Sequence, residues 1–171
     1  MPRQDDLWRI RPAGTRDRQL LRTLLDDHLR DLSAFGPVDA AYHYFDLYFE
    51  DADRSAYVID VLSTGAWTAA GFALVNRHAC SGLPVDHAMA EFFILPDIRR
   101  KGVGARAASL LFTLHPGVWE VGVISRNVAA WAFWCHVTAP FREVETIAKG
   151  DMRILRFKSP EVLRRKARGE G

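Results

Sequence analysis

The sequence predicts a mixed α/β fold, a mostly antiparallel sheet with one central parallel β-α-β unit. Three observations carry this. Strand-like and helix-like patterns alternate in the order β-α-α-β-β-β-α-β-α-β-β. Between Ala88 and Ser125 an apolar run, a helical stretch and a second apolar run follow one another. A right-handed crossover makes those two strands parallel. Two final runs flank Lys149-Gly150-Asp151 as a closing hairpin, which argues against a purely parallel, doubly wound sheet.

The elements follow in chain order. "LWRIRPA" alternates as a first strand. "TRDRQLLRTLLDDHLRDLSAF" opens at a capping residue, Thr15, and repeats Leu20, Leu21, Leu24, Leu25, Leu29 and Leu32 at helical spacing until Gly36-Pro37 breaks it. "DAAYHYFDLYF" predicts a second, aromatic-rich helix. "SAYVIDVL" and "GAWTAAGFALVNRHA" read as strands joined by a tight turn at Ser63-Thr64-Gly65. "DHAMAEFFIL" is nearly continuous in apolar residues and predicts a central strand, ended by Pro96. "GARAASLLFTLH" is a helix stopped by Pro116-Gly117, and "VWEVGVIS" is the next strand. Asn127 caps the helix "NVAAWAFWCHV". "REVETIA" and "MRILRFK" form the hairpin, and residues 160–171 are a basic tail. We read residues 1–171 as a single domain with its core at about 7–158.

Composition narrows the function classes. With 49% hydrophobic and 26% charged residues, the 171-residue chain is globular and long enough to bury a core. The net charge of +2 makes the body no general magnet for nucleic acid. The basic excess is local, at Arg99 to Lys101 and at Arg164, Arg165, Lys166 and Arg168. Cys80 and Cys135 are too few and too separated for a disulfide framework, which suits a reducing compartment. No stretch approaches about 18 uninterrupted apolar residues, and "MPRQDDLWRIR" has no apolar signal core. The expectation is a cytoplasmic protein with no membrane partner. The six histidines show no ligand spacing with cysteines or acids, so no metal is expected.

The basic, glycine-bearing stretch Arg99-Arg100-Lys101-Gly102-Val103-Gly104 stands where a strand hands over to a helix. Helix N-termini present unpaired N–H groups and partial positive charge, and glycines there admit phosphate oxygens to the backbone. Gly102 to Ala107 also match G-x-G-x-x-A, but a dinucleotide site places its first glycine at the strand end, and Pro96 to Lys101 intervene. A Walker A pattern is absent. On these six residues alone, a phosphate cradle and a solvated basic turn stay equally open.

Two motifs tip the balance. Arg99-x-x-Gly102-x-Gly104 resembles the acyl-CoA signature [QR]-x-x-G-x-[GA] of the GNAT superfamily of N-acetyltransferases. Asn127, Ala130 and Phe133-Trp134 are similar to that family's N-x-x-A-x-x-F-[YW] run on the following helix. The resemblance spans about residues 7–158 and implies a GNAT-like fold using acetyl-CoA as co-substrate. It implies that the pantetheine arm pairs with the backbone of Phe92, Phe93 and Ile94. The pyrophosphate would rest on N–H groups of Arg100, Lys101, Gly102, Val103, Gly104 and Ala105, with the Arg99 to Lys101 side chains steering. Asn127 would lie near the pantetheine, and Trp134 would flank it near the thioester. Many relatives carry a tyrosine acid at the Trp134 position. Indole is no useful acid, so that role does not carry over.

Glu91 is a lone acid in the apolar run "HAMAEFFIL". Buried acids are rarely left unpaired. The resemblance puts an acid at this place facing the acceptor pocket, as general base, and the competing role is a structural ion pair with an arginine. Glu120 sits near the start of its strand and fits structural pairing better. Tyr44 and Tyr48 are candidate walls of the acceptor pocket, against a default of core packing. Cys135 and His136 read as a packed thiol and a helix-end histidine.

The resemblance thus implies an N-acetyltransferase acting on a primary amine, small molecule or peptide, by direct attack in a ternary complex. Two other classes stay open. One is a non-catalytic acyl-CoA sensor, motivated by Trp134. The other is a nucleic-acid module, motivated by the basic tail, although the body lacks interleaved aromatic and basic residues, so no nucleic-acid partner is expected. A homodimer through helix or strand edges stays open too.

Overall fold

The computed structural model describes residues 7–160. The basic residues Arg164 to Arg168 lie outside them. The strands are β1 (Trp8–Pro12), β2 (Ser55–Ser63), β3 (Ala66–Asn76), β4 (His87–Ile94), β5 (Gly117–Ile124), β6 (Arg142–Lys149) and β7 (Met152–Ser159). The helices are α1 (Arg18–Leu32), α2 (Val103–Leu114) and α3 (Val128–Thr138). All seven strands form one sheet, in the order β1-β2-β3-β4-β5-β7-β6. Only β4 and β5 pair in parallel; every other neighbouring pair is antiparallel. The mixed sheet with a central β-α-β unit is the one expected from the pattern.

The sheet separates two apolar layers. On one face the α1 stripe Leu21, Leu24, Leu25 and Leu29 packs on Val58, Phe72, Leu74 and Phe93. Each such leucine contributes roughly 1.5–3 kcal/mol. On the other face α2 and α3 bring Leu111, Phe112 and Trp134 onto Trp119, Val121, Val123 and Phe157. Strand alternation assigns Phe93 to the first layer and Phe92 to the second.

Two irregularities in the centre shape the site. Leu74 pairs with Glu91 but Val75 pairs with Met89, so Ala90 is an extra residue in β4. Such a bulge bends its strand. Parallel pairing between β4 and β5 covers only His87, Ala88 and Met89, and stops at the residue before the bulge. From Ala90 to Ile94 the two strands splay, leaving a notch. Gly71 lies opposite the far end of β4, where a Cβ would come within 2.1 Å of the Phe93 carbonyl oxygen. Only glycine lets β3 approach β4 this closely.

The predicted second helix does not form. Residues 39–49 are turns that end in a short 3-10 helix, Asp46–Phe49. The reason lies in where the backbone groups go. The Asp39 carboxylate accepts from the Ala41 N–H, and Arg22 on α1 takes the Ala40 and Ala41 carbonyls at 2.7 and 3.2 Å. Those carbonyls are lost to helical bonding. Tyr42 then adopts φ 44°, in the left-handed region, at a cost of roughly 1–3 kcal/mol. Burial of Phe45 and Tyr48 follows a three-residue spacing, which a 3-10 turn satisfies.

Glu120 is structural. It is 1% exposed, and its carboxylate accepts from Arg156 at 2.7 Å and from the Ser81 hydroxyl at 2.5 Å. Removing one partner of a buried pair strands the other. Arg156→Ala is expected to lower the unfolding free energy by about 3–5 kcal/mol in denaturant titration, and to cost less when Glu120 is replaced by leucine in the same chain.

Candidate functional site

The notch has two distinct edges. Leu95 N–H donates to the Ala70 carbonyl at 2.8 Å, so the backbone groups of Leu95, Phe93 and Glu91 point towards β3. Those of Phe92 and Ile94 point the other way, into the notch. Phe93 therefore differs from its two neighbours. Its N–H and C=O belong to the sheet, while its side chain packs on the α1 face. The Ile94 carbonyl already accepts from Arg99 Nε at 2.7 Å, and the Ile94 N–H stays on the notch side.

The loop beyond β4 ends in a helix N-terminus. Gly102 caps α2 at φ 79°, a left-handed conformation that suits glycine. Arg106 N–H is the first to donate along α2, to the Gly102 carbonyl at 3.1 Å. The N–H groups of Val103, Gly104 and Ala105 have no carbonyl one turn earlier. A Cβ on Gly104 would sit 3.2 Å from Ile94 Cγ1 and 3.7 Å from the Phe133 ring, so α2 starts hard against the notch. Arg100 holds φ 63°, left-handed without being glycine. Its side chain and that of Lys101 are exposed. Arg99 behaves differently. Its guanidinium turns back over the Phe93 ring and pairs with Asp31 of α1 at 2.7 Å, bracing the loop to α1.

Asn127 follows β5 after a two-residue turn and caps α3, its Oδ1 accepting from Ala130 N–H at 3.1 Å. Among the described residues its Nδ2 carries no hydrogen bond. Trp134 is 6% exposed and packs between Phe92, Phe112 and Phe133. Phe133 stacks on Phe92 and so closes the α3 side of the notch.

Glu91 emerges on the α1 face, one residue past the bulge. Its carboxylate meets His28 Nε2 at 2.8 Å, with both side chains largely buried. A carboxylate only accepts, so Nε2 carries the proton. The competing reading of Glu91 was an ion pair, for instance with an arginine, and the partner the structure supplies is a histidine from α1. The Tyr42 hydroxyl also lies against Glu91 and against the Tyr48 hydroxyl. Burial, and then the Glu91 charge, push the Tyr42 phenol far above its usual range, so it stays a protonated donor. Burial likewise raises Tyr48, whose oxygen accepts from Asn76 Nδ2 at 2.9 Å. Cys80 is exposed as a residue, but its sulfur turns in towards Gly122. Burial, then the charges of Glu120 and Glu91, raise its pKa and keep it a thiol.

Of the two tyrosines singled out, Tyr48 is buried and Tyr44 is exposed, and both border a cleft of about 370 Å³ with Tyr42, Arg54, Asn76 and His78. Sequence reasoning missed His28, Tyr42, Arg54 and Asn76. His28 had a usable signal, because it falls on the apolar stripe one turn after Leu24 and Leu25, where a polar side chain needs a partner. Tyr42 had none, since its aim depends on the left-handed turn. Among the described residues no cluster of His, Cys, Asp and Glu could hold a metal ion, and no helix is long and apolar enough to cross a membrane.

No protein-family model matches the sequence, and no curated protein matches it either. The fold, by contrast, matches solved structures along nearly its whole length. An acetyltransferase of the GNAT family from Staphylococcus aureus Mu50 is 10% identical, with 90% of this chain and 99% of that one covered and a TM-score of 0.65. Spermidine N-acetyltransferase from Vibrio cholerae, solved with CoA and spermine, is 12% identical over 88% of this chain and 94% of that one, with a TM-score of 0.58. NAA60 from Arabidopsis thaliana, solved with acetyl-CoA, is 13% identical over 88% and 96%, with a TM-score of 0.59. At such identities the likeness speaks for architecture. With its splayed central strands and the loop that follows them, the chain has the GNAT acetyltransferase fold.

Proposed function

We propose that the chain transfers an acetyl group from acetyl-CoA to a primary amine. One observation carries this: the splay of β4 from β5 after Met89 puts free backbone edges, a helix N-terminus and a partly buried glutamate around one notch. The residues present fit acetyl-CoA. Phe92 and Ile94 offer an unpaired strand edge to an extended amide-bearing arm, as an added strand would. Val103, Gly104 and Ala105 offer N–H groups to a pyrophosphate, and Gly104 leaves the approach open. Asn127 Nδ2 is the spare donor at the end of β5.

Bound there, acetyl-CoA supplies the acetyl group as a thioester. The chain's part is to orient the amine and move its proton. Glu91 accepts the proton that the amine loses as its nitrogen bonds to the acetyl carbon. The carbon–sulfur bond breaks, and the thiolate leaves as CoA. The Ile94 N–H is the backbone donor for the acetyl oxygen. His28 keeps the Glu91 carboxylate in one rotamer, and the protonated Tyr42 hydroxyl lies against it from the acceptor side. No tyrosine stands at Trp134, so the thiolate takes its proton from solvent or from the acceptor.

The test joins two measurements, calorimetric binding of CoA and thiol release from acetyl-CoA with a panel of primary amines. Absence of CoA binding sinks the proposal outright. Binding without turnover of any amine favours the sensor reading, which Trp134 motivates. His28→Leu, similar in bulk but without a donor, is expected to lower kcat by about tenfold with CoA affinity unchanged, since one hydrogen bond to a charged group is lost. A purely structural histidine would instead lower the melting temperature and leave kcat alone.

A further inference from the structure

Glu91 is one end of a longer polar seam. From its carboxylate the Tyr42 hydroxyl leads to the Tyr48 hydroxyl, and Tyr48 to Asn76. Beyond Tyr48 the seam opens into the cleft that Arg54 and His78 also line. The Arg54 side chain is only 11% exposed, and its guanidinium lies 5.8 and 5.9 Å from the ring centres of Tyr44 and Tyr48. Asp51 bonds its Nη1 at 2.7 Å. Its Nε is buried, with no hydrogen-bond partner among the described residues. A guanidinium has five donors, and a buried charge is stable only when they are met.

Among the described residues the neighbours leave the Nε unmet. Asp51 already accepts from Asp53 N–H with its other oxygen, at 3.0 Å. Asn76 spends its amide on Tyr48 and its carbonyl on His78 N–H, at 2.9 Å each. The hydroxyl of Tyr48 accepts from Asn76 and faces Tyr42. The site is therefore dipolar: a carboxylate at the notch end, an under-partnered guanidinium at the far end, and aromatic rings between them.

We infer that the acceptor is an amine that also carries a carboxylate, with its nitrogen at Glu91 and its carboxylate on Arg54. This rests on the assignment of Glu91 above. The hydroxyls of Tyr42 and Tyr48 stand between the ends, and the Arg54 guanidinium lies beyond them, 5.9 Å from the Tyr48 ring centre. An acceptor that touches both ends has to pass two phenol groups, more than the single carbon between nitrogen and carboxylate of an α-amino acid spans. The class that fits has a spacer of several carbons, as in an ω-amino acid or the side-chain amine of a basic amino acid. A diamine would set its second ammonium against Arg54 and be repelled.

Acceptors of matched length decide the matter: 6-aminohexanoate, hexylamine and 1,6-diaminohexane, assayed by thiol release. The expected order places 6-aminohexanoate about tenfold or more above hexylamine in kcat/KM, with the diamine lowest. Arg54→Gln collapses that preference towards unity through KM. Arg54→Lys, which keeps the pair with Asp51 but loses the fork, restores it in part. Hexanoate, which has no amine, supplies a readout independent of acetyl transfer: calorimetry should show it binding the wild type and not Arg54→Gln. That measurement stands even if no amine is turned over, so failure of the transferase assignment does not obscure it. Equal use of hexylamine and 6-aminohexanoate, preference for the diamine, no hexanoate binding to the wild type, or binding unchanged in Arg54→Gln each overturns the inference.

Discussion

Replacing Glu91 by glutamine is expected to lower kcat/KM for amine acetylation by about 10²–10⁴-fold, the usual contribution of a positioned general base. The substitution isolates proton uptake. Glutamine keeps the size of the side chain and can still accept from His28 Nε2, which lies 2.8 Å from the carboxylate. It cannot take a proton from an amine. Glu91 points to the α1 face, whereas the notch edges of Phe92 and Ile94 lie in the plane of the sheet, so CoA affinity should stay at the wild-type value. A rate within about threefold of wild type would move the proton to solvent and leave Glu91 a structural partner of His28.

Gly104→Glu is expected to weaken CoA binding by about a hundredfold or more, worth ~2.7 kcal/mol. Two effects act together. A Cβ at this position already crowds Ile94 Cγ1 at 3.2 Å, so the longer side chain must turn into the notch. Its carboxylate then occupies the N–H groups of the first helical turn, where a negative charge is favourable and a phosphate would otherwise sit. The helix end is stabilised by the change, so lost affinity cannot be blamed on a melted α2. Gly104→Ala is the control: it adds the crowded Cβ without the charge, and gains about 1 kcal/mol of helix propensity. Affinity for CoA should fall far less. Equal affinity for CoA in Gly104→Glu and wild type would exclude the loop as the phosphate site.

The strands and three of the four predicted helices could be read in the chain because their patterns are local and strong. The leucine repeat of α1 and the runs of β2 to β5 bury themselves against whatever the sheet provides. The stretch 39–49 could not be read, because its fate was settled from outside by Arg22, which is 18 and 19 residues from the carbonyls it takes. Its aromatics suit either a helix or a 3-10 turn. Only the long-range hydrogen bonds distinguish the two.

The same division runs through the candidate site. Alone, the sequence determined the order of elements, the loop that opens α2 with Gly102 and Gly104, the Asn127 cap and the lone acid Glu91. Each depends on neighbours a few residues away, or on a single charge in an apolar run. The tertiary structure alone decided that β4 bulges at Ala90 and parts from β5, that Arg99 braces α1 and that Glu91 meets His28, 63 residues away. It also decided that Tyr42, Tyr48 and Asn76 extend that contact towards Arg54. Such contacts form when a sheet face brings together side chains whose spacing along the chain carries no period, and no local pattern encodes them.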